Sequence, residues 1–136
     1  MTQNRLSAVT ELAALSTPIL SSIVETVDDI LERYEADLTP PQTTDFREIR
    51  NEAINVLRIL TFMKTEESLT LDEMRVWHME LNRTLNALAG YANMLHKELN
   101  DTLSELHAQS LLNCRKGALR ILDEVNLVME LDEEAG

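Results

Sequence analysis

Few residues in this chain could do chemistry, and their spacing withholds the familiar reactions. Three histidines (His78, His96, His107) and one cysteine (Cys114) are the candidates for metal binding or nucleophilic work. Di-iron helical bundles place a glutamate three residues before a histidine, so that both project into one interior. Here the residues three before the histidines are Arg75, Asn93 and Ser104, and none is a carboxylate. The His-Glu-x-x-His helix of zinc proteases does not occur either. Gly90 and Gly117 stand alone, so there is no glycine-rich loop to cradle a phosphate. His107 and Cys114, seven residues apart, share a helical face, but two ligands do not make a zinc site. The spacing predicts no catalytic, cofactor-binding or metal-binding residue, and so no enzyme and no cofactor.

The patterned feature that remains is acidic. Glu25, Asp28, Asp29, Glu32 and Glu35 fall at offsets of 0, 3, 4, 7 and 10, on one helical face opposite Ile23, Val27, Ile30 and Tyr34. Carboxylates so arranged could steer a basic partner or imitate the phosphates of a nucleic acid; a solvated helix face looks the same. These five are the candidate partner-binding residues. Their counterweight is Arg47, Arg50, Arg58 and Lys64, which could pair with acids on neighbouring helices.

The net charge is −12, and only residues 41–65 carry a positive balance, of +1. Direct binding to nucleic acid or to an anionic membrane needs clustered Lys and Arg, so both are excluded as expectations. The single cysteine fits a reducing cytoplasm. Residues 1–20 lack a basic start and are interrupted by Glu11, unlike a signal peptide. A membrane-spanning run of about 18 uncharged apolar residues is not expected anywhere.

The elements that must position these groups are helices. Leu6, Val9, Ala13, Leu20, Ile23, Val27, Ile30 and Tyr34 keep a three-four spacing, as do Leu71, Met74, Leu81, Leu85, Leu88, Ala92, Leu95 and Leu99. His78 interrupts the second stripe between Met74 and Leu81, where a polar residue can fix helix register or serve as a pH-sensitive group. The spacing predicts an all-α protein, an antiparallel bundle of four to five helices with coiled-coil-like heptad packing and long C-terminal helices.

The expected division is a single domain, 1–136. It comprises a helix over 1–38 kinked at Pro18 with Thr17 as an N-cap, a linker at 39–44, and helices at 45–64, 71–100 and 102–132. An acidic tail at 133–136 ends it. Thr70 with Glu73, and Thr102 with Glu105, are capping-box patterns for the last two helices. Segments 18–37 and 45–64 give helices of about 30 Å, against about 45 Å for the third. Apolar stripes would then overhang, and a homodimer would bury them.

Three functions fit these features. The first is a non-enzymatic protein-protein interaction module, acting through helical apolar faces flanked by acidic residues on another protein, possibly a basic one. The second is an acidic nucleic-acid mimic that inhibits a DNA- or RNA-binding protein, such as a phage anti-defence protein. The third is a small-molecule-binding bundle.

Overall fold

The computed structural model of the chain describes residues 2–66 and 68–135, with side chains described for 5–66 and 68–130. It contains α1 (Thr2–Arg33), α2 (Pro40–Thr65), α3 (Leu71–Leu99) and α4 (Glu105–Ala135), with no strand among the described residues. Each helix packs on its two neighbours in the cyclic order α1, α2, α3, α4, and diagonal pairs make no close approach. Connections of five or six residues force successive helices antiparallel. The protein is therefore an up-down-up-down four-helix bundle.

In α1, Val9, Ala13, Ser16, Leu20, Ile23, Val27 and Ile30 alternate steps of four and three and are all buried. That seam carries the helix through Pro18 without a break. Pro18 itself is solvent-exposed, where the missing N–H costs least. The expected cap at Thr17 does not form. Its hydroxyl donates instead to the Ala13 carbonyl at 2.7 Å, a bond made within a continuing helix.

The linker expected at 39–44 is also corrected. Thr39 is an N-cap whose hydroxyl accepts from Gln42 N–H, while Gln42 Oε1 accepts from Thr39 N–H at 3.0 Å. Pro40 and Pro41 follow in the first turn, where an N–H has no helical partner to lose. The true connection is 34–39, so α2 begins five residues before the expected Asp45.

At α3 the Thr70–Glu73 capping box forms as the sequence indicates. The second pattern, Thr102 with Glu105, does not. Ser104 is the residue that caps α4, its Oγ accepting from His107 N–H at 3.2 Å and its carbonyl from Ala108 N–H. The apolar register resumes at Ala108 and runs through Leu111, Cys114, Ala118, Ile121, Val125 and Met129. The expected acidic tail continues α4 as far as Ala135, and Gly136 lies outside the described residues.

Two further expectations change. The helices contain 32, 26, 29 and 31 residues, near enough to equal that the stripes have little overhang. The reason given for a homodimer is thereby removed. Within Arg5–Arg33, α1 also contains a window with mean hydropathy 1.4, long and apolar enough by composition to cross a membrane. One acid does not disqualify such a window, although here its heptad seam packs in the bundle.

Candidate protein-binding surface

Most large apolar side chains are consumed by the core, so those left in water are informative. Phe62 is 44% exposed, Val76 62% and Met79 72%. All three belong to the α2–α3 side of the bundle. Ile59, Val76, Trp77 and Met79 line one open groove of about 620 Å³, with Asn55, Glu80 and Arg83 at its polar end. Phe62 extends the surface through its ring, 5.3 Å from the Trp77 ring at a tilt of 55°. Large exposed apolar patches mark interaction sites more often than scattered single residues do. Aromatic, Met and Arg side chains are also the types enriched in protein interfaces.

The polar end is ion-paired. Arg83 donates to Glu80 through Nε at 3.2 Å and Nη2 at 2.6 Å, and Nη2 lies 4.0 Å from Glu52 across on α2. Hydrogen bonding from Arg83 holds the Glu80 carboxyl below its usual range. Asn55 Nδ2 reaches the buried Thr84 hydroxyl at 3.3 Å, tying α2 to α3 beneath the groove.

The acidic stripe lies elsewhere. Asp28 receives Arg50 Nε of α2 at 3.0 Å. Asp29 receives Arg33 Nε at 2.8 Å and faces His107 Nε2 at 2.8 Å. Glu25, Glu32 and Glu35 remain exposed, and Glu35 lies beyond the end of α1. The structure thus engages two of the five carboxylates internally. The apolar face opposite them, Ile23, Val27 and Ile30, is buried in the core. Of the four basic residues expected to pair, Arg50 does so. Arg47, Arg58 and Lys64 form no ion pair among the described residues.

His107 sits in a knot that joins α1 to the start of α4. Its Nε2–H donates to Asp29, and its Nδ1 lies 3.0 Å from the Tyr34 hydroxyl and 2.8 Å from Ser104 Oγ. The Tyr34 oxygen in turn accepts Ser104 N–H at 3.0 Å, and its ring stands edge-on to the imidazole. Ser104, His107 and Asp29 are the residue types of a hydrolytic triad, brought together from 78 positions apart. Ser104 Oγ also holds the His107 backbone, and Nδ1 is shared with Tyr34.

His78 and Cys114 are packing residues in this geometry. His78 Nε2–H donates to Asn126 Oδ1 at 2.7 Å, and Asn82 Nδ2 donates to the same oxygen at 3.3 Å, fixing α3 against α4. Cys114 is buried, and burial pushes its thiol up to about 11, which makes it a poor nucleophile. Among the described residues no group of three His, Cys, Asp or Glu side chains could hold a metal ion.

Sequence reasoning overlooked the α2–α3 surface because its members stand off the core stripe. The available signal was Val76, Trp77 and Met79, three large apolar residues in four positions around His78 on a helix otherwise apolar on one face. No known protein family, curated protein or solved structure matches this chain.

Proposed function

We propose that this protein is a non-enzymatic, cytoplasmic protein-binding module that receives an amphipathic helix of another protein in the α2–α3 groove. The observation that carries this reading is the contiguous exposure of Phe62, Val76 and Met79 around the half-buried Trp77. A trough between two antiparallel helices suits a third helix presenting apolar residues at three-four spacing. Trp77 and Met79 supply the anchors, and the Glu80–Arg83 pair supplies a polar stop at one end.

Net charge adds direction. At −12 the chain attracts a basic partner from a distance, and the exposed Glu25, Glu32 and Glu35 contribute to that field without forming the contact. The same charge opposes a second copy of this chain as occupant. Nucleic-acid mimicry is less well supported, since Arg50, Arg33 and His107 take up two carboxylates of the stripe.

The test compares captures from the native host by three proteins: wild type, Val76→Asp/Met79→Asp, and Glu25→Lys/Glu32→Lys. The expected result is a partner held by wild type, lost by the groove variant, and retained at high salt by the stripe variant. Retention by the groove variant overturns the reading. Light scattering at micromolar concentration gives the mass, where 15.5 kDa supports a foreign partner and twice that supports self-association.

A further inference from the structure

On the opposite side of the bundle, between α1 and α4, lies a groove of about 510 Å³ whose chemistry differs from that of the α2–α3 surface. Its α1 wall carries no charge, offering Pro18, Ile19, Ser22, Ile23 and Thr26. The α4 wall carries two cations, Lys116 and Arg120, one helical turn apart. All three basic residues of 101–136 fall between 115 and 120.

Neither Lys116 nor Arg120 forms an ion pair among the described residues. Arg47, Arg58 and Lys64 are unpaired too among those residues, but Lys116 and Arg120 stand together on one groove wall. Asp123 and Glu124 stand three and four positions beyond Arg120, where helical partners would sit, and still do not reach it.

Of the other polar groups in the groove, Thr26 bonds to the Cys114 thiol, while the two serines are uncommitted. Thr10, Thr17 and Thr61 turn their hydroxyls onto carbonyls of their own helix. The hydroxyls of Ser22 and Ser110, in this groove, bond to no protein group among the described residues. Asn113 accepts from Gln109 through Oδ1 and keeps its NH₂ without an acceptor among the described residues. The wall between them is apolar and close. A Cβ at Gly117 would stand 2.7 Å from Ile19 Cγ2, so glycine is what allows Ile19 to lie there.

We propose that this groove binds a small phosphate monoester with an apolar body. Lys116 and Arg120 hold the phosphate, Ser22 and Ser110 donate to its remaining oxygens, and the body rests on Ile19 and Ile23. Charge decides the size of the ligand. A polyanion meets the repulsion of a −12 chain along its whole length, whereas a small ligand inside the groove is governed by charges within a Debye length of about 8 Å. The donors decide the head group: a dianionic phosphate with three acceptor oxygens uses two cations and two hydroxyls more fully than a carboxylate.

The experiment is an amide NMR titration of the full chain with three probes: phenyl phosphate, inorganic phosphate and phenol. Phenyl phosphate should give saturating shifts at Ser22, Thr26, Asn113 and Gly117, with each other probe at least about tenfold weaker. Lys116→Ala/Arg120→Ala, both at exposed positions, should keep the folded spectrum and weaken phenyl phosphate by at least about tenfold. Absence of saturation by about 10 mM, unchanged affinity in the double variant, or shifts confined to Phe62 and Trp77 would each overturn the proposal. Inorganic phosphate binding as tightly as phenyl phosphate would overturn the apolar part of it.

Discussion

The Phe62 and Trp77 rings, from different helices, lie 5.3 Å apart and tilted by 55°, yet Phe62 keeps 44% of its surface in water. A tilted aromatic pair of this kind is mutually stabilising but leaves an apolar face uncovered. The core beneath is complete without it, since Leu60, Met63, Met74 and Leu81 already fill the α2–α3 interior. Fold stability therefore does not explain why positions 62, 76 and 79 are large and apolar. A partner does.

The two helical glycines should respond oppositely to alanine. A Cβ at Gly90 meets nothing within 4 Å, so Gly90→Ala should stabilise by about 0.5–1 kcal/mol through reduced unfolded-state freedom. At Gly117 the Cβ collides with Ile19, and Gly117→Ala should destabilise by about 1–3 kcal/mol, as overpacking does. Urea unfolding of both variants checks the pair, and the same sign for both would contradict the packing described for α1 and α4.

Ser16 is buried in the α1 seam, and its Oγ has no hydrogen-bond partner. An unsatisfied buried hydroxyl costs about 1–3 kcal/mol. Ser16→Ala removes it with little change in volume and should raise stability by about 1 kcal/mol. Calorimetry showing a lower melting temperature would mean that the hydroxyl is satisfied in solution.

Core and surface should separate clearly. Leu85 is fully buried, and Leu85→Ala should cost about 2–5 kcal/mol. Glu32 is exposed, and Glu32→Gln should stay within about 0.5 kcal/mol of the wild type. Denaturation curves ranking the two in the opposite order would place the helix faces wrongly.

Acid should loosen the knot at the start of α4. Hydrogen bonds from Arg33 first and His107 second lower the Asp29 carboxyl from its ordinary 3.8. A lowered folded value means that the stabilisation is fully present above 3.8 and is lost as pH falls through the folded value. The wild type should thus melt above Asp29→Asn at about pH 6, with the gap closing below about pH 4. A gap that widens on acidification would show that Asp29 is not the group being read.

Much of this fold was legible in the residues. The seams through Val9 to Ile30 and Met74 to Leu99 are continuous patterns, and burial follows them because helices can hide an apolar stripe in few other ways. The helix ends were less legible. Pro18 is carried inside α1 while Pro40 and Pro41 start α2, and which of these a proline does depends on the face and turn that packing gives it. Ser104 displaced Thr102 as a cap because Tyr34, distant in sequence, and His107, one turn on, hold it there. The candidate surface was hidden for a related reason. Apolar residues off the stripe become a patch only when two helices bring Phe62 beside Trp77.

The most direct measurement is site-specific photo-crosslinking in the native host, with benzoylphenylalanine at Met79 or at Leu106. The two positions are matched in exposure, 72% and 73%, but Leu106 stands at the far end of the bundle, on α4. The groove reading predicts a discrete protein adduct from position 79, absent from position 106 and abolished by Val76→Asp. Equal adducts from both positions, or an adduct from 79 that survives Val76→Asp, would contradict it.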